Sequence, residues 1–189
     1  MIETVIIAIA FARIKGTEIK KIFKHWEFCP VFIGALTYVF LQIGMFKGDY
    51  SLLTYANIYK ALYSAAIFFL IYRFKIYRQG FIGMGLMFAG MGLNKLVMYF
   101  NDWKMPVFPT MSLKTGYIDI DKLNTIDGWH VVGDSTTKLK FLSDIFDIGY
   151  CVMSLGDILV RTFLFIVLYY SFKSIKKETI KHPNCFPSS

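Results

Sequence analysis

The apolar residues of this chain fall in five long runs separated by short polar segments, and not in the narrow stripes of soluble amphipathic helices. Runs of about 18 to 20 apolar residues match the hydrocarbon thickness of a bilayer at about 1.5 Å rise per residue. The pattern therefore predicts an all-α, polytopic membrane helix bundle, forming a single membrane domain over residues 1–189. About five transmembrane helices are expected, at residues 1–14, 29–46, 51–72, 80–100 and 152–172.

The first run, residues 1–14, is short for a complete span. It lacks the basic start and the small-residue cleavage site of a signal peptide, which favours a short, uncleaved helix. Its length leaves open whether this helix crosses the whole bilayer. The fourth run, residues 80–100, is rich in glycine and alanine, and small residues allow membrane helices to approach closely.

One long hydrophilic segment, residues 101–150, separates the fourth and fifth predicted helices. Its first part is rich in turn-forming residues, whereas Asp134 and Ser135 precede apolar residues at helical spacing. This spacing predicts an amphipathic helix over residues 134–148, lying at the outer membrane interface. The residues expected on its apolar face are Leu139, Leu142, Ile145 and Phe146.

The net charge of +8 raises the question of nucleic-acid binding. The basic residues, however, sit in short clusters at the ends of apolar runs, where orientation signals and contacts with anionic lipids occur. Of the 21 Lys and Arg residues, 12 lie at or beyond the end of the first run, after the third run or in the C-terminal tail. The positive-inside rule places those segments in the cytoplasm, and the N-terminus and the long loop outside. We expect membrane lipids as partners and no nucleic acid.

Ionisable residues inside apolar runs locate a candidate site, because charges are costly in hydrocarbon. Asn94 and Lys95 lie in the last turns of the fourth helix, and Lys60 lies near the middle of the third. Asn94 is typical of an interhelical hydrogen bond, and the lysines can extend towards the interface. Near the start of the fifth helix, Asp157 and Arg161 are spaced to pair on one face. That pair is either structural or part of a ligand or proton site.

Residues of the long loop add further candidates for chemistry. His130 has carboxylates nearby in the sequence, but the spacing matches no zinc motif, so we expect no metal and no cofactor. Asp144 above the membrane and Asp157 within it are candidates for a proton-sharing pair of the aspartic hydrolase type. Ser154 is placed to cap the fifth helix. Phosphate-binding loops, dinucleotide fingerprints, HExxH and GxSxG are absent from the sequence.

Several landmarks occur in a fixed order along the chain. They are Lys15-Gly16, Asn94, Asn101-x-x-x-Met105-Pro106-Val107, His130, Thr137-x-Leu139, Leu142-x-Asp144 and Ser154-x-Gly156-Asp157-Ile158-Leu159. Over essentially its whole length the chain resembles a bacterial family of small multi-pass membrane proteins of unknown function. The resemblance implies a membrane-helix fold and a location in the bacterial cell membrane, and it implies no activity, substrate or catalytic residue.

Typical members of that family carry N-G-G-x-M-P-V after the penultimate helix and S-I-G-D at the start of the last helix. In this chain Asp102 and Trp103 replace the two glycines. We therefore expect the turn after Asn101 to be stiffer or differently shaped. Leu155 replaces the isoleucine of the second motif, which is a conservative change.

Three functions remain open on the sequence. The first is a binding or accessory protein, with a polar pocket in the outer half of the bilayer that residues 101–150 cover and that receives a lipid headgroup, a peptide or a partner membrane protein. The second is a membrane hydrolase or transferase acting at the outer leaflet by acid–base chemistry. The third is a small transporter subunit, which would need to oligomerise. The candidate pocket residues are Asn94, Asn101, Met105, Pro106, His130, Asp144, Ser154, Asp157 and Arg161.

Overall fold

The computed structural model describes residues 1–47, 55–120, 123 and 128–181. Within that part the chain is mostly helical. The helices are α1 (Ile2–Ile14), α2 (Ile19–Lys24), α3 (Cys29–Phe46), α4 (Ala56–Arg73), α5 (Tyr77–Phe100), α6 (Met111–Lys114) and α7 (Leu155–Lys181), with 3-10 turns at Trp26–Phe28 and Lys140–Leu142. The strands are β1 (Met105–Val107), β2 (His130–Val132), β3 (Phe146–Asp147) and β4 (Val152–Met153).

Five of these helices coincide with the apolar runs. α1 and α3 agree with the predicted bounds to within one residue, and α5 begins slightly earlier than expected, at Tyr77. α4 is described from Ala56, so the first residues of the predicted 51–72 helix lie outside the described residues. α7 begins at Leu155 because Val152–Met153 pair as a strand, and it continues beyond its predicted end.

Among the described residues, three helical segments are long and apolar enough to cross a membrane, judged by length and composition. They are Trp26–Phe46 with 21 residues, Tyr77–Phe100 with 24 and Leu155–Lys176 with 22. Large apolar side chains on these helices are exposed, such as Ile33 and Phe81. Soluble proteins rarely expose extended apolar surfaces of this kind, so the helices indicate membrane association.

The prediction of an amphipathic helix over residues 134–148 is wrong. The structure has a 3-10 turn at Lys140–Leu142, followed by strand β3. Asp134 Oδ1 accepts hydrogen bonds from the N–H and the hydroxyl of Thr136, which closes a local turn that competes with a helix. Leu139 has a φ of 54°, a left-handed conformation that interrupts a right-handed helix.

The contacts between residues divide the chain into two compact units. Unit 1 comprises Met1–Val39, Tyr55–Gly83 and Phe163–Ser189. Unit 2 comprises Phe40–Thr54 and Met84–Thr162. The single membrane domain inferred from the sequence stays a prediction for the chain as a whole.

Unit 1 has an aromatic core next to an ion pair whose carboxylate is buried. Phe28 is fully buried, and its ring centroid lies 5.3 Å from that of Phe74 and 4.9 Å from that of Phe172. Glu27 is only 3% exposed, and its Oε1 lies 2.7 Å from Arg73 Nη2. A buried carboxylate needs a partner, and this pair joins the 3-10 turn before α3 to the end of α4.

Unit 2 contains the short strands. β1 and β2 pair in parallel, with Met105 opposite His130, and Val107 forms a parallel bridge with Asp144 on the other side of β1. β3 and β4 pair antiparallel. The buried side chain of Met105 belongs to the same apolar cluster as Val97 of α5. The segment between α5 and α7 is therefore folded against the C-terminal end of α5.

Candidate functional site

The first turn of α7 is closed by reciprocal hydrogen bonds between Ser154 and Asp157. The Asp157 N–H donates to Ser154 Oγ at 3.0 Å, and the Ser154 N–H donates to Asp157 Oδ2 at 3.2 Å. This arrangement is a capping box, in which two backbone donors at a helix N-terminus are satisfied by side chains. The capping role predicted for Ser154 is confirmed, and Asp157 supplies the other half of the box.

Asn94 joins this box from the neighbouring helix α5. Its Nδ2 donates to Asp157 Oδ1 at 3.0 Å, and its Oδ1 accepts a hydrogen bond from the Ser154 hydroxyl at 2.8 Å. The prediction of an interhelical hydrogen bond at Asn94 is therefore confirmed. Polar side chains between membrane helices act as such links because water is scarce there.

Two glycines allow α5 and α7 to lie close together. A Cβ atom built on Gly156 would overlap Asn94 Oδ1 and the carbonyl oxygen of Gly90. A Cβ atom on Gly90 would overlap the carbonyl oxygen of Gly156. The Asn94 amide can thus reach the capping box because position 156 carries no side chain, as expected where small residues permit close helix packing.

Asp144 is the most chemically unusual group of unit 2. Its N–H donates to the Pro106 carbonyl at 3.1 Å, and its carbonyl accepts from the Phe108 N–H at 2.8 Å. The residue is only 5% exposed. Among the described residues, Asp144 Oδ1 has no hydrogen-bond partner, and Oδ2 lies 3.8 Å from His130 Nε2. Burial, with a smaller contribution from the charge of Asp157, raises the pKa of Asp144 to about 8. At neutral pH this carboxyl is mostly protonated.

Three residues predicted to line a pocket, Asn101, Met105 and Pro106, hold the backbone of unit 2 in place. Asn101 Nδ2 donates to the carbonyls of Val97 at 2.8 Å and Lys138 at 2.9 Å, and Asn101 Oδ1 accepts from the Lys138 N–H at 3.0 Å. Met105 and Pro106 are buried in β1. These residues fix the path of the chain from α5 to the loop that carries Asp144.

Arg161 lies one turn further along α7 than Asp157. Its Nη2 donates to Cys151 Sγ at 3.2 Å, while the Asp157 carboxylate is engaged by the capping box and by α5. The structure thus gives each member of the pair proposed from the sequence a different neighbour. Lys60 and Lys95 are both exposed on their helices.

Asp147 organises the loop, a role that the sequence did not reveal. Its Oδ2 accepts hydrogen bonds from the Thr110 N–H at 2.6 Å, the Ser112 N–H at 2.9 Å and the Ser112 hydroxyl at 2.7 Å. Its Oδ1 accepts from the Gly149 N–H at 2.8 Å. Burial acts to raise the pKa of Asp147, but the hydrogen bonds together outweigh it and lower the pKa to about 2. Most of these donors lie some 35 residues earlier in the sequence, so no local motif signals them.

In the described part of the chain, no group of three or more His, Cys, Asp or Glu side chains is arranged to hold a metal ion. His130 and Asp144 lie close to each other, whereas protein zinc sites use three or four such ligands. The carboxyl and imidazole groups of these two residues can form hydrogen bonds and transfer protons.

A family model matches residues 19–169, a range that contains all nine candidate pocket residues. No match is found among curated proteins or among solved structures. The matched range covers most of the chain, and the chain therefore belongs to the family of unknown function DUF5317.

Proposed function

We propose that this protein is a binding or accessory protein of the bacterial cell membrane, with five transmembrane helices. The support is that five described helices coincide with the five apolar runs, and three of them meet the length and composition of a span. The basic clusters follow α1, α4 and α7, which under the positive-inside rule places the N-terminus and residues 101–150 outside and the C-terminus in the cytoplasm.

The observation that carries the proposed binding role is Asp144 Oδ1, a buried oxygen with no hydrogen-bond partner among the described residues. Leaving a buried acceptor unsatisfied costs about 1–3 kcal/mol. A ligand that donates a hydrogen bond to this oxygen removes that penalty. Binding sites commonly combine an apolar surrounding with a few such convergent polar groups.

The ligand site that we propose is a polar pocket in the outer half of the bilayer, covered by residues 101–150. Asp144 and the partly exposed His130 face the ligand, and the capping box at Ser154 and Asp157 forms its fixed base. Because the unsatisfied Asp144 Oδ1 can accept a hydrogen bond, the ligand carries a hydrogen-bond donor, as in a lipid headgroup, a peptide or a partner membrane protein.

The test is native mass spectrometry on protein extracted gently from its own membrane. The wild-type protein is expected to carry a stoichiometric extra mass, which Asp144→Ala loses because it lacks the acceptor. Asp144→Asn keeps an oxygen at that position and should retain part of the ligand. Asp102→Asn, an exposed change in the same unit, serves as the matched control and should retain all of it.

Thermal unfolding of each variant shows whether loss of the ligand is separate from loss of folding. An unchanged bound mass in a folded Asp144→Ala protein contradicts the proposal, as does a wild-type protein that carries nothing.

A second candidate function is a hydrolase or transferase acting at the outer leaflet. It is favoured by the interaction between Asp144 and Asp157, which contributes to the raised pKa of Asp144. Such enzymes commonly use two neighbouring carboxyl groups, one as acid and one as base. Turnover of outer-leaflet phospholipids or peptides should then follow a bell-shaped pH profile and vanish in both Asp144→Asn and Asp157→Asn. Activity that survives either change excludes this mechanism.

A further inference from the structure

Unit 1 contains a cavity of about 380 Å³ next to the turn between α1 and α2. Its volume lies within the range of about 300–1,000 Å³ that is usual for sites of small ligands. The residues that line it are Arg13, Gly16, Thr17, Glu18, Ile19 and Lys20. None of these residues takes part in the site of unit 2.

The charges around this cavity favour an anion. Arg13 and Lys20 line it directly. The lining carboxylate, Glu18, is already paired, since its Oε1 lies 2.9 Å from Lys21 Nζ. A further cation reaches the turn from α7, where Lys176 Nζ donates to the carbonyl oxygen of Lys15 at 2.9 Å.

The same region exposes apolar side chains. Ile14 is 76% exposed beside Arg13, Phe23 is 62% exposed on α2, and Phe11 is 41% exposed one turn earlier on α1. A basic cavity at the end of an apolar helix, with exposed apolar residues within a few positions of its lining residues, matches a ligand with an anionic head and acyl chains. A fully soluble anion would contact the basic residues but not the exposed apolar side chains, so this combination does not match such a ligand.

From this combination we propose that the cavity binds the phosphate group of an anionic phospholipid, with Arg13 and Lys20 as its cationic contacts. Arg presents a rigid fork of N–H donors that suits phosphate oxygens, and Lys adds a mobile point charge. The acyl chains lie along the exposed face that includes Ile14. This site is independent of the ligand proposed for Asp144.

The full-length protein is titrated with phosphatidylglycerol or phosphatidylcholine in detergent, and binding is followed by native mass spectrometry. Phosphatidylglycerol should bind about tenfold more tightly than phosphatidylcholine, a difference of about 1.4 kcal/mol. Arg13→Gln/Lys20→Gln should remove this preference. The control Lys24→Gln/Lys75→Gln changes the net charge equally at basic residues that do not line the cavity, and should keep it.

Equal loss of preference in both double variants contradicts a defined site, because it shows attraction by diffuse positive charge. Competition by glycerol phosphate at the same concentration as the lipid contradicts a lipid ligand and assigns the cavity to a soluble phosphate. If the Arg13→Gln/Lys20→Gln variant unfolds, the single variant Lys20→Gln is tested in its place. It should show a smaller drop in phosphatidylglycerol affinity. An unchanged affinity would overturn the proposal.

Discussion

At the scale of single residues, two carboxyls three positions apart respond to their surroundings in opposite ways. Asp144 is buried with one oxygen that has no hydrogen-bond partner among the described residues, and its pKa is raised to about 8. Asp147 collects hydrogen bonds from three residues, and its pKa is lowered to about 2. Neighbouring positions in one loop thus hold one mostly protonated and one ionised carboxyl at neutral pH.

Replacing Asp144 by Asn should make the protein less sensitive to alkaline pH. In the folded wild type Asp144 holds a proton that the unfolded chain releases above about pH 4, so the free energy of unfolding falls as pH rises towards 8. The Asn variant cannot lose a proton there. At pH 8 it should be more stable than the wild type by at least about 1 kcal/mol, since one pKa unit corresponds to about 1.4 kcal/mol. Thermal unfolding in detergent at pH 5, 7 and 9 measures the effect.

Asp147→Asn is the control, because the pKa of Asp147 is shifted in the opposite direction from that of Asp144. The stabilisation from a lowered pKa is fully present above the usual pKa of about 4 and is lost only as pH falls towards 2. This variant should therefore lose stability, by about 1–3 kcal/mol, almost equally at pH 5, 7 and 9.

The prediction for Asp144→Asn fails if the free energy of unfolding depends on pH in the same way in this variant and in the wild type. That result would show that Asp144 is not protonated in the folded protein.

The turn after Asn101 gives a prediction about backbone strain. Asp102 and Trp103 have φ values of 53° and 60°, in the left-handed region that favours glycine. Asp102→Gly should therefore raise the free energy of unfolding by about 1 kcal/mol, because the relief of left-handed strain exceeds the entropic cost of glycine. The reverse control is Gly116→Ala, where φ is 75° and a Cβ would meet nothing within 4 Å, so that strain alone should lower stability. A lower melting temperature for Asp102→Gly would contradict this account.

At the scale of elements, α5 and α7 are joined by hydrogen bonds and by backbone contact in the same place. Asn94 bonds to the first turn of α7, and Gly90 lies against Gly156. The two kinds of contact depend on each other, because a side chain at position 156 would occupy the position of the Asn94 amide. The start of α7 is therefore fixed in register with α5.

Gly156→Ala should separate these helix segments and lower stability by about 2–4 kcal/mol, through overpacking and through loss of the Asn94 hydrogen bonds. Gly92→Ala is the matched control on α5, because a Cβ there meets nothing within 4 Å and alanine favours a helix. Melting temperatures of the two variants in the same detergent should shift in opposite directions. Equal, small shifts would show that the close approach does not matter.

At the scale of the whole molecule, the proposed topology places Ser135 and Lys75 on opposite sides of the membrane. In a background with its native cysteines replaced by serine, Ser135→Cys should react with a membrane-impermeant maleimide in intact cells. Lys75→Cys should react only after the cells are opened, because it follows α4 in a basic cluster expected in the cytoplasm. Both side chains are exposed, so access to the reagent reports the side of the membrane. The reverse labelling pattern would invert the proposed orientation.

The sequence predicted what depends on neighbours along the chain. The apolar runs located the helices, and Ser154 was recognised as a cap because a cap is a local motif. Helical spacing alone failed over residues 134–148, where side-chain hydrogen bonds and a left-handed residue decide the backbone. The partners of Asp147 and the burial of Asp144 depend on long-range strand pairing, which one sequence without its fold does not reveal.

The four residues from Ser154 to Asp157 should show a distinct pattern of tolerance in a saturation mutagenesis screen. Ser154, Gly156 and Asp157 each meet a separate steric or hydrogen-bonding demand, so single replacements there should reduce the amount of folded protein. Leu155 is 38% exposed and meets none of these demands, so it should accept other apolar residues. The Ser154-x-Gly156-Asp157 motif would then reflect the contact between α5 and α7 and not a particular ligand. Proteins that share this motif would keep the same helix contact while binding different ligands.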